Sequence, residues 1–106
     1  MTAIDHTFAA LADPTRIEIV TRLSRGSASV SELAEPHAMS LRAVLKHVQV
    51  LEAAGLVHTV KDGRVRTCSL QPARIDSATH WMEQLQQRWE RRLDRLEQYT
   101  KDGGRK

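Results

Sequence analysis

The chain has 106 residues, of which 41% are hydrophobic and 27% are charged, and its formal net charge is +3. This length and composition predict one globular domain. No apolar run approaches the roughly 18 residues of a membrane span, and the first residues lack the pattern of a secretory signal, so we expect neither. The single cysteine excludes an internal disulfide and fits a reducing cytoplasm, where we expect the protein to be.

The positive charge is unevenly placed along the chain. Residues 1–39 carry three arginines against five acidic residues, whereas residues 40–66 carry five basic residues against two acidic ones. Residues 67–106 carry eight basic residues against six acidic ones. The excess therefore lies from residue 40 onward, and a basic region of this kind favours a polyanionic partner.

Two helices are predicted at the start of the chain. Apolar residues at helical spacing indicate a first helix over residues 3–12 and a second from Pro14 to about Ser24. Asp13 suits the N-cap of the second helix, and Pro14 suits its first position because the missing N–H is not needed there. The following apolar residues of the second helix are expected to face inward: Ile17, Ile19, Val20 and Leu23.

A helix-turn-helix arrangement is predicted next. Ser29 and Glu32 have the spacing of a capping box and begin a short helix that Pro36 ends. After a turn of about four residues, Ser40 caps the following helix. Two helices joined by so short a turn are typical of a helix-turn-helix unit, in which the second is the recognition helix.

The candidate recognition helix, residues 40–51, has two faces. Three apolar residues recur at i, i+4 and i+7 and form one stripe: Val44, Val48 and Leu51. Arg42, Lys46 and Gln49 point elsewhere. Taken alone, this stretch fits a solvated surface helix as well as it fits a helix that enters a nucleic-acid groove.

A β-hairpin is predicted after Gly55, which ends that helix. The residues that follow are rich in β-branched side chains, and Asp62-Gly63 is a strong signal for a two-residue turn before a second strand from Arg64 to Leu70. Its charges could merely keep the strand edges from pairing with other chains. Its place directly after the recognition helix favours the wing of a winged helix.

A long helix is predicted from about Ala73 to Thr100. Its apolar residues step by three or four, close to a heptad seam: Ala78, Met82, Leu85, Trp89, Leu93, Leu96 and Tyr99. A domain this small has little room to bury such a stripe, which predicts dimerisation, although the helix could also fold back over its own core. We expect one domain over residues 1–100 and a flexible tail over residues 101–106.

Four segments together resemble the ArsR family of bacterial winged-helix repressors: LADPTR, SVSELAE, MSLRAVLKHVQVLEAAGLV and KDGRVR. The similarity covers residues 8 to about 70 and is greatest to the metal-independent branch of the family. It implies a mainly α fold with a small β-hairpin, a winged helix-turn-helix with a long C-terminal dimerisation helix. It also implies a homodimeric repressor whose two recognition helices enter successive major grooves of a palindromic operator in double-stranded DNA.

The resemblance and the residue types together identify candidate site residues. The DNA-binding set is Ser40, Arg42, Ala43, Lys46, His47, Gln49, Lys61, Arg64 and Arg66. The dimer-interface set is Ile4, Phe8, Met82, Leu85, Trp89, Leu93 and Leu96. Arg42 is the expected base reader, since arginine to guanine is the commonest specific contact, and the wing residues should bind backbone.

Several of these residues have a second interpretation. Ser40 could bind a phosphate or only cap its helix, and His47 could contact DNA or only pack beside the core stripe. Leu45 stands where relatives often have a small polar residue; it could contact a thymine methyl group or be a tolerated surface residue.

No metal or other cofactor is expected. One metal site of the family would use positions that here hold Ala34 and Pro36. The second would use positions that here hold Asp76, Ala78, Trp89 and Arg92. Neither set offers the four or so N, S or O donors that zinc requires, and His6 and His80 are expected to be ordinary polar residues of the helices that carry them.

The remaining functional classes have less support. Cys68 is expected to be a small packing residue rather than a redox sensor. No phosphate loop or nucleophile–base pair is visible, so the chain is not expected to be an enzyme. Two alternatives stay open: a winged-helix module that binds another protein, and a regulator that responds to an unknown organic effector.

Overall fold

The computed structural model describes residues 3–103, with side chains up to Lys101. Its elements, in chain order, are α1 (Ala3–Leu11), α2 (Pro14–Leu23), β1 (Ala28–Ser29), α3 (Val30–Ala34), α4 (Leu41–Ala53), β2 (Val57–Asp62), β3 (Val65–Leu70) and α5 (Pro72–Gly103). The predicted fold class, a winged helix-turn-helix with a long C-terminal helix, is confirmed. Residues 104–106 of the predicted tail lie outside the described residues.

The chain divides into two compact units, and the boundary falls within α5 between Asp76 and Ser77. The core of the first unit contains residues from α1 to α4 and from all three strands: Ala10, Ile19, Leu23, Ala28, Leu33, Val44, Val48, Leu51, Leu56, Val57 and Cys68. No helix in the described part of the chain is long and apolar enough to cross a membrane.

Helix α2 buries a different face from the one predicted for Ile17. Ile19 is 1% exposed and Leu23 is 4% exposed, whereas Ile17 is 50% exposed. Residues 17 and 19 are about 200° apart around a helix, so the two side chains lie on nearly opposite sides. The prediction that Ile17 faces the core was therefore wrong, because the apolar residues of α2 extend around more than one face.

Strand β1, which the sequence did not predict, joins the helix-turn-helix unit to the sheet. The sheet is antiparallel in the order β1-β3-β2, and Ser29 pairs with Thr67 of β3. Ser29 is also the N-cap of α3: its hydroxyl accepts from the Glu32 N–H at 3.1 Å, and its own N–H donates to the Glu32 carboxylate at 3.0 Å. The Ser29 N–H lowers the pKa of Glu32 below its ordinary value, because it stabilises the charged form.

Both ends of α4 are closed by local hydrogen bonds. The Ser40 hydroxyl accepts from the Ala43 N–H at 3.2 Å, as the sequence predicts for an N-cap. At the other end the Gly55 N–H donates to the Glu52 carbonyl and the Leu56 N–H donates to the Leu51 carbonyl, both at 3.0 Å. This is the Schellman arrangement, and it requires the positive φ of +77° that glycine adopts without strain.

The hairpin turn lies one residue later than predicted. Asp62 pairs with Val65, so the two turn residues are Gly63-Arg64 and not Asp62-Gly63. Gly63 has a φ of +63°, and Arg64 does not have a positive φ. A glycine with positive φ at the first turn position and an ordinary residue at the second is the pattern of a type II′ turn, which matches the twist of the strands.

The capping box of α3 provides a test of local stability. Ser29→Ala removes the hydroxyl that accepts from Glu32, and loss of such a cap costs about 0.5–2 kcal/mol. We expect the free energy of unfolding in urea to fall by that amount at fixed protein concentration. Ser27→Ala is the matched control, because Ser27 is exposed and two residues earlier; an equal loss in both variants would contradict the capping role.

Candidate nucleic-acid interface

The hairpin places basic side chains on the face that it turns toward the core. Three consecutive cross-strand pairs share this face: Val57 with Leu70, Thr59 with Cys68, and Lys61 with Arg66. Val57 and Cys68 are buried, whereas Lys61 is exposed. The inner face of the hairpin is therefore packed at its base and cationic near its tip.

Lys61 and Arg66 are direct cross-strand partners. Like charges in this position destabilise an antiparallel pair, and cross-strand pairs contribute on the order of 0.2–1 kcal/mol. No described acidic side chain forms a salt bridge with either residue. An anion bound between them would relieve the repulsion, so this pair favours a polyanion at the hairpin.

Helix α4 exposes a polar stripe opposite its buried one. Arg42, Lys46 and Gln49 recur at i, i+4 and i+7, and all three are exposed. Ala43 is half-buried beside them. Because Val44, Val48 and Leu51 hold the other face in the core at 0–1% exposure, the polar stripe is turned to solvent, as the sequence predicts.

The hairpin and α4 together line one groove. Its basic residues are Arg42 from α4 and Lys61, Arg64 and Arg66 from the hairpin. The start of α3 and three apolar side chains complete the wall: Ser29, Val30, Ser31, Leu41, Leu45 and Val65. The structure thus brings Arg42 together with the three predicted wing residues, although Arg42 precedes them by about 20 residues in the sequence. Lys46 and Gln49 lie on α4 outside the groove wall.

A hydrogen bond fixes the hairpin relative to α4. The Thr59 hydroxyl donates to the Glu52 carboxylate at 2.7 Å, which joins β2 to the last turn of α4. Gln71 closes the far end of the sheet, since its N–H donates to the Leu56 carbonyl at 2.9 Å. The sequence reasoning missed Glu52 and Thr59, because no motif marks a pair seven residues apart across a helix end.

His47 lies on the flank of α4 that faces α2. Its Nδ1 is 3.3 Å from the Arg16 guanidinium and 4.0 Å from the Asp13 carboxylate. A guanidinium can only donate, so a hydrogen bond here uses Nδ1 as the acceptor and leaves Nε2 as the ring nitrogen that carries the proton. This geometry supports the packing interpretation of His47; a contact between Nε2–H and a phosphate stays a prediction.

Arg16 is a residue that the sequence reasoning did not single out. Besides contacting His47, it donates from Nε to the Ala10 carbonyl, so one side chain joins α1, α2 and α4. The Arg16 backbone N–H is also the main reason that the pKa of Asp13 is lowered, and the positive charge of the Arg16 side chain lowers it further. The one available signal was its position in LADPTR, three residues after the N-cap Asp13.

Cys68 is fully buried between the hairpin and the core. Burial raises the pKa of its thiol, and the nearby Glu52 carboxylate raises it further. A protonated, inaccessible thiol is a poor nucleophile, which supports the packing interpretation. Among the residues that the structure describes, no three His, Cys, Asp or Glu side chains are grouped so that they could hold a metal ion.

Comparison with known proteins connects this geometry to a family. A family model described as a helix-turn-helix domain matches residues 11–60. The chain is 38% identical over 86 residues to the HTH-type transcriptional regulator Rv2034 of Mycobacterium tuberculosis. The alignment covers 76% of this chain and 80% of the relative. It is also 25% identical over 79 residues to the transcriptional repressor SdpR of Bacillus subtilis. That alignment covers 74% of this chain and 88% of SdpR.

The fold is also similar to a solved structure. The crystal structure of an ArsR family transcriptional regulator, RHA00566, superposes with a TM-score of 0.80 at 44% sequence identity. The superposition covers 84% of this chain and 98% of that chain. These relatives are transcriptional regulators and not enzymes, in agreement with the sequence-based prediction.

The pairing of Lys61 with Arg66 near the hairpin tip predicts that one substitution can stabilise the fold and weaken DNA binding. Lys61→Glu replaces a repulsive pair with an attractive one opposite Arg66, so we expect the free energy of unfolding to rise by about 0.2–1 kcal/mol. We expect the same variant to bind a mixed-sequence DNA duplex more weakly. Urea unfolding and fluorescence anisotropy measure the two effects.

Lys46→Glu is the control for that experiment, because Lys46 is an exposed base without a cation opposite it across a strand. It should weaken DNA binding without stabilising the hairpin. A loss of stability in Lys61→Glu would contradict the proposed repulsion between Lys61 and Arg66.

Proposed function

Because this chain belongs to the ArsR family of winged helix-turn-helix transcriptional regulators, we propose that it is a homodimeric repressor that binds a palindromic operator. The observation that carries the proposal is the groove in which Arg42 of α4 meets Lys61, Arg64 and Arg66 of the hairpin. A recognition helix beside a cationic wing fits a duplex, whose phosphates are anionic and whose base edges lie in the major groove.

The two walls of the groove have different roles in this proposal. Arg42 lies in the first turn of α4, the part of a recognition helix that meets base edges, and it contacts guanine. Lys46 and Gln49 continue the contact along the exposed stripe of α4. Lys61, Arg64 and Arg66 bind the phosphate backbone, which supplies affinity without sequence preference.

Three further members of the proposed DNA-binding set lie beside that stripe. Ser40 presents the N-terminus of α4, where backbone N–H groups favour a phosphate. Ala43 leaves space for close approach of the DNA backbone. His47 offers its Nε2–H to a phosphate, while Nδ1 remains on Arg16.

The homodimer is proposed from the apolar stripe of α5. Met82, Leu85, Trp89, Leu93 and Leu96 are each between 44% and 56% exposed and follow a near-heptad spacing. Monomeric proteins rarely leave so continuous an apolar surface in water, because its burial is favourable. Ile4 and Phe8 of α1, both half-buried, complete the proposed interface.

Symmetry and family membership complete the proposal. A two-fold dimer presents two recognition helices, so its operator is a palindrome with half-sites about one helical turn apart. We propose repression in keeping with the name of the similar SdpR. We propose metal independence because Ala34 and Pro36 occupy ligand positions of the family. We propose a cytoplasmic location because the proposed partner is DNA.

Selection of bound sequences from a random DNA pool tests this function. The protein should enrich a palindrome with half-sites about 10 base pairs apart. Enrichment of no sequence at low salt would reject the function and favour a winged-helix module that binds protein instead.

Arg42 and Arg64 should have separable effects on the selected duplex. Arg42→Ala should weaken specific binding by about 1–3 kcal/mol and relax the preference at one base pair per half-site. Arg64→Ala should weaken all sequences about equally and flatten the dependence of log K on log salt. Salt titrations of the selected and scrambled duplexes distinguish the two; a uniform loss in Arg42→Ala would contradict base reading.

The oligomeric state can be tested with a matched pair of variants on α5. Leu85→Glu places a carboxylate in the apolar stripe, and we expect it to shift the protein from dimer to monomer at micromolar concentration. Gln87→Glu adds the same charge two residues later, away from the stripe, and should leave the dimer intact. Light scattering measures both masses, and a monomeric unmutated protein would refute the proposed interface.

A further inference from the structure

The cationic groove contains exposed apolar side chains that the core does not explain. Leu41 and Val65 are each 54% exposed, and Leu45 is half-buried. All three line the groove together with Arg42, Lys61, Arg64 and Arg66. None of the three belongs to the buried core cluster or to the partly buried set packed against it.

Leu41 and Leu45 form one apolar ridge on α4. They are four residues apart, so their side chains lie one above the other on the same side of the helix. This side faces the hairpin, because both leucines share the groove with Lys61 and Val65. The ridge therefore lies between the polar stripe of α4 and the basic hairpin.

The surroundings of this ridge restrict the chemistry of its ligand. The four basic residues around it favour an anion, whereas the exposed Leu41 and the half-buried Leu45 favour an apolar group at the same place. In the major groove of DNA the thymine 5-methyl group is the apolar feature of the base edges, and aliphatic side chains contact it. A thymine-containing duplex satisfies both requirements.

We propose that Leu41 and Leu45 read a thymine methyl group and so determine part of the sequence specificity, an inference that rests on the proposed DNA-binding function. Leu45 is three residues from Arg42, so their Cβ atoms are about 5–6 Å apart. Successive bases of one strand are separated by about 3.4 Å along the helix axis. The thymine therefore lies next to, or one base beyond, the guanine that Arg42 contacts, and Val65 excludes water from the hairpin side.

Replacing thymine with uracil tests this inference directly, because uracil lacks only the 5-methyl group. Each thymine of the selected palindrome is replaced in turn, symmetrically in both half-sites, and affinity is measured by anisotropy at fixed salt. We expect one position to lose about fourfold in affinity per half-site, the effect of one buried methyl group, and the other positions to change little.

The same duplexes bound to Leu45→Ala complete a double-mutant cycle. Uracil should have a clearly smaller effect at that position in this variant, because only Leu41 remains to contact the methyl group. Val50→Ala is the matched control, because Val50 is 43% exposed on α4 but outside the groove wall, and this variant should retain the uracil effect. The comparison of thymine with uracil in the unmutated protein needs no variant, so it stays decisive even if Leu45→Ala fails to fold.

Three outcomes would overturn the proposal. A selected half-site without a constant thymine beside the Arg42 contact would do so, as would uracil duplexes that bind equally at every position. An equal uracil effect in the unmutated protein and in Leu45→Ala would assign methyl reading to another residue. Failure to select any DNA would instead reject the proposed function itself, and the methyl-reading proposal with it.

Discussion

The burial of one face of α4 is the constraint on which the candidate site depends. Val44, Val48 and Leu51 are 0–1% exposed, and this attachment determines which side chains of the helix can reach a ligand. The Ser40 cap and the Gly55 Schellman motif hold both helix ends by local hydrogen bonds. A helix held in this way presents its outer side chains with little loss of conformational entropy on binding.

The contacts around α4 extend this rigidity to the neighbouring elements. Thr59 donates to Glu52 and ties the hairpin to the last turn of the helix, while Arg16 ties the His47 flank to α1 and α2. The groove between α4 and the hairpin is thus built from elements whose relative positions are fixed. This arrangement holds basic side chains close together before any ligand binds. It does so at the expense of repulsion between Lys61 and Arg66.

Helix α5 differs from α4 because most of its large apolar side chains are exposed and not packed in a core. Its charged residues keep most of its surface compatible with water, but its apolar residues leave a continuous exposed stripe. Such a stripe gains free energy only when another surface covers it, so oligomerisation and folding are coupled in the proposed dimer. In the proposed function, dimerisation and DNA contact are assigned to different elements, namely α5 and the groove between α4 and the hairpin.

The sequence by itself determined the order of the helices and the starts of α2, α3 and α4, because these signals are local: Asp13-Pro14, the Ser29–Glu32 capping box and Ser40 each act within one turn. It also determined the two faces of α4, because the spacing of apolar and polar residues along the sequence shows which side chains share a face of the helix. Three features depended on the tertiary structure alone. They are the formation of strand β1, the position of the hairpin turn at Gly63-Arg64 and the face of α2 that is buried. The tertiary structure also decided the contact of Arg16 with His47 and the meeting of Leu41 and Leu45 with the wing cations, because these depend on which remote segments pack together.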